Sequence, residues 1–331
     1  MTPRTSRKGR RQKKTRSRKA SEKKTPTLAH RAEYFGMRAT IGVLRTMGWN
    51  AACRVGARLG MLGYRPFGIR KRVVEKQIAA AFPELSRDRV QKLARESYAH
   101  LGRTFVESAL FDTLGKEGVL ELVDEVKDWH FIDEAMAQGR GIVFVTGHIG
   151  NWELAGAYVA ARGIPVDAIA RGMANPLVDD YVTRVREATG MVIVHDSEAV
   201  RRAPRSLRAN RGVAFIADQG VLGLASTYVP FFGRPAKTPR GAAVFALRFD
   251  VPVIFMVALR KPNGRFRVVV ERIEAKRTSN MDRDVDAIVA TFTQHLEKWV
   301  RVVPAQYFWQ HRRWRRQPPD TPPELRDPSA D

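Results

Sequence analysis

The spacing of hydrophobic residues changes character at about residue 128. Before that point, apolar positions recur every three or four residues, which predicts helices. After it, short runs rich in β-branched and aromatic residues alternate with amphipathic segments. This alternation predicts an α/β fold with a mostly parallel central sheet covered by helices. The predicted strands are 141–146, 165–170, 191–195, 212–217, 251–259 and 266–273. The predicted helices are 70–81, 87–111, 151–162, 175–189, 198–210, 238–249 and 281–302.

The same pattern divides the chain into four segments. We predict a disordered basic tail at 1–32, a helical, membrane-associated region at 33–127, an α/β core at 128–316 and a disordered Pro-rich tail at 317–331. Arginines interrupt the apolar stretch 33–66, so its longest charge-free run is far shorter than the roughly 20 residues that span a bilayer. Two interpretations of this stretch stay open: an amphipathic helix in the membrane interface, or a helix packed on the protein core.

The charge of the chain is large and uneven. The formal net charge is +24, and half of it lies in residues 1–32, where thirteen Lys and Arg stand against the single acid Glu22. Such a tail cannot bury enough apolar surface to fold alone, and it attracts polyanions such as anionic lipid or nucleic acid. The single cysteine, Cys53, excludes an intramolecular disulfide and a zinc site built on several thiolates. We therefore expect a cytosol-facing protein.

His148 and Glu153 are the first candidates for chemistry. They follow the predicted strand 141–146, and His148 falls in a strand-to-helix turn, where open α/β sheets usually place their ligands. Histidine is the side chain best suited to accept a proton near neutral pH. A carboxylate on the far ring nitrogen would orient it, as in a catalytic triad. The alternative stays open that Glu153 only complements the helix dipole and that His148 is an ordinary turn residue.

Two further predicted strands end in polar residues. Arg171 follows strand 165–170, and Asp218-Gln219 follows strand 212–217. Because parallel strands end at one edge of a sheet, these side chains should share a crevice with His148. A surface arginine and a turn-forming aspartate are the simpler interpretations. The sequence lacks a Gly-x-Ser-x-Gly elbow, a Walker A loop, HExxH and a Rossmann fingerprint, which favours direct attack by a substrate hydroxyl.

The segment Gln306–Trp314 interleaves aromatic residues with arginines. Such a cluster can stack nucleobases or lie at a lipid interface, but core packing is the favoured interpretation. A nucleic-acid-binding protein would explain the basic charge, yet it leaves the three polar strand ends without a role. A lipid-binding scaffold without activity is disfavoured because both His148 and Glu153 are present.

Together these motifs resemble the bacterial lipid A biosynthesis acyltransferases, the late lauroyl/myristoyl transferases, which are related to the glycerolipid acyltransferases with a His-x4-Asp/Glu motif. The resemblance covers roughly residues 35–316. It is carried by Gly147–Glu153, Arg171 with Asn175-Pro176, Asp218-Gln219, Val229–Gly233 and Gln306–Arg313.

The resemblance implies transfer of a fatty acyl group from an acyl-carrier-protein or coenzyme A thioester to a hydroxyl of a membrane glycolipid, in the first place a lipid A precursor. His148 would then be the general base and Glu153 its orienting partner. Substrate-binding roles are expected for Arg171, Asn151, Asp218, Gln219 and Arg312. No metal or redox cofactor is implied. Relatives that acylate mannosylated phosphoinositides share the His-x4-Glu turn, so that acceptor is the alternative.

Two departures from the family pattern affect these expectations. The basic tail and the arginine-broken apolar stretch replace a more continuous apolar anchor. This favours peripheral or monotopic binding at the anionic cytoplasmic face of the bacterial inner membrane. Arg240 stands where small hydroxyl residues are more usual, so no substrate role is transferred to it. Nucleic acid is not an expected partner.

Overall fold

The computed structural model describes residues 25–221 and 223–330, and most of the predicted elements form. The helices are α1 (Leu28–Thr46), α2 (Trp49–Tyr64), α3 (Lys71–Ala81), α4 (Arg87–Leu110), α5 (Gly115–Glu121), α6 (His130–Ala137), α7 (Trp152–Ala161), α8 (Pro176–Ala188), α9 (Ala199–Arg208), α10 (Gly241–Phe249) and α11 (Met281–Val302). The strands are β1 (Val123–Lys127), β2 (Ile142–Thr146), β3 (Val166–Ala170), β4 (Met191–His195), β5 (Gly212–Ile216), β6 (Ser226–Phe231), β7 (Arg234–Pro239), β8 (Val253–Arg260) and β9 (Phe266–Ile273). Most of the predicted basic tail, residues 1–24, lies outside the described residues.

Seven strands form one sheet in the order β1-β9-β8-β2-β5-β3-β4. Within this sheet, β8 and β9 are the one antiparallel pair, and all other neighbouring strands are parallel. The predicted α/β fold with a mostly parallel sheet is therefore confirmed. Strand β1 belongs to this sheet although it lies before residue 128, so the α/β core begins earlier than the hydrophobic pattern indicates.

The sheet has a hydrophobic core on each face, because successive residues of a strand point to opposite sides. Val143 and Val145 of β2 belong to one core, which also holds buried residues of α3, α10 and α11. Ile142 and Phe144 belong to the other, which holds residues of α1, α4, α7 and α8. Strand β2 is thus packed against a hydrophobic core on each face, and these contacts fix the position of the turn that follows it.

Helices α2 and α4 cross in close contact through glycines. A Cβ added to Gly60 would lie 2.1 Å from the carbonyl oxygen of Tyr98, and one added to Gly102 would lie 2.2 Å from that of Gly56. Helix α1 buries Ile41 and Leu44 while it exposes other apolar side chains. None of the helices in the described part of the chain is long and apolar enough to cross a membrane. Contact of this region with a membrane stays a prediction.

The C-terminal segment 317–330 packs against a hairpin that the sequence did not reveal. Strands β6 and β7 pair around Phe232 and Gly233, which both have positive φ as in a tight two-residue turn. Arg234 of this hairpin donates hydrogen bonds to the carbonyl oxygens of Glu324 and Arg326, at 2.8 and 2.9 Å. The prediction of a disordered tail is wrong for residues 317–330, because side chains elsewhere in the chain satisfy their backbone groups.

Candidate active site

The turn between β2 and α7 is held in place from two sides. The backbone N–H of Asn151 donates to the carbonyl oxygen of Ala258 at 2.8 Å, and Phe308 N–H donates to that of His148 at 2.9 Å. Gly150 has a φ of 60°, and an added Cβ would lie 2.1 Å from the Ala258 oxygen. Only glycine fits this position. The end of β8 and the C-terminal motif therefore fix the backbone that carries His148.

His148 is bound by Asp218, which follows β5. The Nδ1 atom of the imidazole lies 2.6 Å from Oδ1 of Asp218, and Oδ2 accepts the backbone N–H of His148 at 3.0 Å. The Asp218 side chain is 3% exposed and that of His148 is 19% exposed. A carboxylate accepts but does not donate, so Nδ1 carries the hydrogen and Nε2 is left free to accept a proton.

The surroundings of Asp218 keep its carboxylate charged. Burial alone would raise its pKa, but the charge and hydrogen bonds of His148 and the charge of Arg313 outweigh burial and lower the pKa to about 2. The hydroxyl of Tyr307 is a further hydrogen-bond partner, and burial together with Asp218 holds its pKa well above 10. This buried carboxylate can stabilise a positive charge on His148.

Aromatic rings and an amide surround the imidazole. The rings of Trp152 and Phe308 lie 5.0 and 5.7 Å from it, centre to centre. The amide nitrogen of Gln219 lies 3.2 Å from Nδ1 and 3.5 Å from Nε2 of His148. These neighbours limit rotation of the imidazole ring, and the Gln219 amide lies beside its two nitrogen atoms.

Glu153 occupies a different place from the one predicted for it. Its carboxylate accepts two hydrogen bonds from Arg186 of α8, at 2.8 and 2.6 Å, and one from the indole of Trp152 at 3.2 Å. Among the described residues no hydrogen bond joins it to His148, so the predicted orienting contact is wrong. Glu153 lies in the first turn of α7, and the rotation of that helix directs its side chain towards α8.

A cavity of about 690 Å³ opens at the ends of the parallel strands beside His148. Its polar lining includes His148, Glu153, Arg171, Arg186 and Gln219. The structure thus brings Arg171, Gln219 and Glu153 together with His148, as the converging strand ends predicted. Asp218 is not in this lining. It lies behind His148, where it contacts the imidazole instead of the predicted substrate.

The rest of the cavity is mostly apolar, and its lining includes residues of the hydrophobic cores on both faces of the sheet. One lobe lies under α7 and is lined by Gly156 of that helix and by Phe144, Val159, Ala168, Met191 and Met256, which belong to the core on the same face of the sheet. The other lies under α10 and is lined by Ile169, Phe215, Ala217, Val244 and Phe245. The two lobes meet at the strand ends, next to His148.

Two of the predicted substrate-binding residues have structural contacts instead. Asn151 is fully buried and caps α7: its Oδ1 accepts the N–H of Leu154 at 3.0 Å, and its Nδ2 donates to Glu107 at 2.9 Å. Arg312 forms an ion pair with Asp327 at 2.6 Å. Neither residue lines the cavity. Both lie in motifs whose other members approach His148, which is why sequence position alone misplaced them.

Glu107 and Arg260 form a buried ion pair behind the His148 turn, and no sequence motif predicted it. Their side chains are 1% and 7% exposed. Through Asn151, Glu107 also connects α4 to the start of α7. Next to it, a ring nitrogen of His100 lies 2.9 Å from the Gly150 oxygen. The pairing spans many residues of sequence, so no local motif could have indicated it.

The C-terminal aromatic cluster is part of the core. Tyr307, Trp309 and Trp314 are at most 3% exposed, which confirms the core-packing interpretation. These rings are therefore not available to stack on nucleobases. Within the described residues, no group of three or more His, Cys, Asp and Glu could hold a metal ion. That the reaction needs no metal or redox cofactor stays a prediction.

Comparison with known proteins identifies this chain as an acyltransferase. Residues 21–316 match the bacterial lipid A biosynthesis acyltransferase family, and the chain belongs to that family. It is 25% identical to the lipid A biosynthesis lauroyltransferase of Escherichia coli over 81% of this chain and 87% of the relative. It is 26% identical to the E. coli palmitoleoyltransferase over 80% and 85%. A phosphatidylinositol mannoside acyltransferase of Mycobacterium tuberculosis is 28% identical over 46% and 48%.

Proposed function

We propose that this protein transfers a fatty acyl group from a thioester to a hydroxyl group of a lipid A-like glycolipid, with His148 as general base and Asp218 as its orienting carboxylate. The observation that carries the proposal is the 2.6 Å contact between His148 Nδ1 and Asp218, at the meeting point of two apolar lobes. The relatives that match most of the chain are named for lipid A acylation, which supports the acceptor class.

The reaction follows from the free Nε2 of His148. This atom takes the proton of the acceptor hydroxyl as its oxygen attacks the thioester carbonyl carbon. The carbon–sulfur bond then breaks, the thiolate leaves, and the imidazolium returns the proton to it. Asp218 stabilises the imidazolium between these steps. We assign the oxyanion that forms on the carbonyl to the amide of Gln219, whose nitrogen lies 3.5 Å from Nε2 of His148.

Two arginines give the cavity a cationic wall. Arg186 is held by Glu153, whose charge outweighs burial and raises the pKa of the guanidinium. Arg171 is exposed at the end of β3 and lines the same cavity. Guanidinium groups bind anionic groups such as phosphate in a bidentate manner. We assign the acceptor headgroup to this wall.

The apolar lobes fit the hydrocarbon parts of the two substrates. A volume of about 690 Å³ lies within the range of ligand pockets. Each methylene group buried there contributes about 0.8 kcal/mol to binding. We assign the donor chain to the lobe under α7, because it extends from Glu153 to the buried Met191.

We further propose that the protein binds peripherally to an anionic membrane with the cavity mouth towards the lipid. Met173, Val200 and Leu224 line the mouth and are 47%, 78% and 45% exposed. Exposed apolar side chains from three separate segments of the chain mark an interaction surface. The amphipathic helix α1 starts beside Met173, since Asn175 donates to the His30 carbonyl oxygen and to Glu33.

The test supplies purified protein with an acyl-carrier-protein or coenzyme A thioester and with a lipid A precursor in mixed micelles. Mass spectrometry of the lipid should show one added acyl ester. A phosphatidylinositol mannoside in parallel reactions tests the alternative acceptor. Ester formation on the mannoside but not on the lipid A precursor would overturn the acceptor assignment. Absence of ester on both, with intact donor, would overturn the proposed function.

A further inference from the structure

We propose that the arginine face of α9 is the docking surface for an acidic carrier protein that delivers the acyl thioester. The arginine face consists of Arg201, Arg202, Arg205 and Arg208 of α9 together with Arg211. This inference rests on the proposed function, and it gives the carrier of the thioester a place on the protein surface.

Helical geometry gathers these arginines on the outside of the protein. Arg201, Arg205 and Arg208 are spaced by four and three residues, so they lie on one side of α9. The opposite side, with Ala203, Ser206 and Leu207, is buried. Beside the arginines lies a groove of about 460 Å³, whose lining includes Arg201, Arg202, Arg205 and Arg211.

Acidic residues of this chain neutralise the face only in part. Glu198 pairs with Arg201 at 2.9 Å and lies 3.8 Å from Arg202. Asp167, which is buried, binds Arg211 and Ser206. No residue in the described part of the chain pairs with the guanidinium of Arg205, which is exposed. The five guanidinium groups and the carboxylates of Glu198 and Asp167 together give the arginine face a net charge of +3.

The arginine face adjoins the active-site cavity. Helix α9 begins with Ala199 and Val200, which both line the cavity. Arg201 follows directly, and Arg205 lies about 6 Å further along the axis at 1.5 Å per residue. A carrier protein seated on this face would present its flexible thioester arm at the cavity mouth.

The character of α9 favours a protein partner over a lipid surface. A helix that lies in a membrane interface exposes an apolar side. On α9 the apolar residues are turned into the core, and Val200 is the only large apolar side chain that is exposed. A row of guanidinium groups that are only partly neutralised fits the acidic surface of a carrier protein through charge complementarity, which acts on association and specificity.

The experiment reverses two of these charges in the full-length protein. Arg201→Glu/Arg205→Glu is compared with Arg87→Glu/Lys92→Glu, an equal charge change on exposed residues of α4 that line neither cavity. Each variant is assayed with the same acyl chain on an acyl carrier protein and on coenzyme A. We expect the KM for the carrier thioester to rise about tenfold, equivalent to about 1.4 kcal/mol, in the α9 variant only. The kcat and the KM for acyl coenzyme A should stay within twofold.

Three results would overturn the docking surface: an unchanged carrier KM, an equal effect on both donors, or an equal effect of the α4 control. Loss of binding to phosphatidylglycerol vesicles with an unchanged carrier KM would assign the face to lipid. If the charge reversal prevents folding, Arg201→Gln/Arg205→Gln should give the same selective effect more weakly. Failure of wild-type protein to transfer acyl groups from either donor would reject the proposed function itself, which is a distinct outcome.

Discussion

Replacement of Asp218 by asparagine tests the partner that the structure assigns to His148. In Asp218→Asn the side chain keeps its shape but loses its charge, and its amide can donate to Nδ1. The imidazole then tends to the wrong tautomer, with hydrogen on Nε2. The account predicts a folded protein with a large loss of kcat.

The size of the loss follows from the electrostatics of the site. The pKa of Asp218 is lowered from 3.8 to about 2, a change of nearly two units. At 1.36 kcal/mol per unit this is about 2–3 kcal/mol of preference for the carboxylate beside His148. Loss of that amount from the transition state lowers kcat by about 30- to 160-fold. The tautomer change can extend the loss towards the roughly 10⁴-fold effect of the equivalent change in a serine protease.

The assay measures kcat for acyl transfer between pH 6 and 8, together with the ¹⁵N chemical shifts of the imidazole. A lowered carboxyl pKa means that Asp218 contributes stability above about pH 4 and loses it only as the pH falls towards 2, so it is charged throughout the assay. Glu153→Gln is the matched control. Its carboxylate binds Arg186, so kcat should change by less than about tenfold and the His148 shifts should not change. The reasoning is refuted if Glu153→Gln changes the tautomer of His148 and Asp218→Asn does not.

Three further predictions concern the surroundings of the site. Glu107→Gln leaves Arg260 as a buried unpaired charge, so urea unfolding should show a loss of about 3–5 kcal/mol; a loss below 1 kcal/mol contradicts the role of the pair. Gly156→Leu extends into the lobe under α7, where even a Cβ would lie 2.6 Å from the Met191 sulfur, so the rate ratio of dodecanoyl to hexadecanoyl donors should rise about tenfold. An unchanged ratio would remove the donor chain from that lobe. Burial lowers the pKa of His100 from 6.5 to about 3. As the pH decreases, the imidazole is therefore protonated in the unfolded chain before it is protonated in the folded protein. The free energy of unfolding should fall as the pH decreases from about 6.5 to 3. In thermal unfolding, His100→Gln should make the loss of stability at low pH less steep. A loss as steep as in wild type would contradict this role of His100.

These variants have controls within the chain. Glu96→Gln changes an exposed carboxylate on the same helix as Glu107 and should leave unfolding within about 0.5 kcal/mol. His195→Gln replaces an exposed histidine and is the matched control for the loss of an imidazole.

The position of His148 could be predicted because it depends on local sequence. An apolar run followed by a polar turn and a helical pattern places it at the end of a strand. Parallel strands bring their ends together whatever the details of packing, so Arg171 and Gln219 could also be placed beside it. Both inferences use periodicity and topology alone.

The partner of His148 could not be predicted, because it is set by tertiary contact across about 70 residues of sequence. Sequence proximity favoured Glu153, whereas the register of β2 and β5 brings Asp218 under the imidazole. The hairpin of β6 and β7 was missed for another reason: Pro230, Pro235 and Pro239 lie in its strands, and proline argues against a strand in the interior of a sheet. Strands β6 and β7 form a separate two-stranded sheet in which both are edge strands, so the prolines are tolerated.

The most direct test of the account is acyl transfer by His148→Ala, measured by mass spectrometry of the lipid product in the presence of donor and lipid A precursor. His195→Ala, at the end of β4 outside the cavity lining, is the matched control. The account predicts that His148→Ala keeps the wild-type circular dichroism spectrum and loses at least about 10³-fold in rate, while His195→Ala stays near wild type. Product formation by folded His148→Ala within tenfold of the wild-type rate would contradict a mechanism in which this histidine takes the proton of the acceptor hydroxyl.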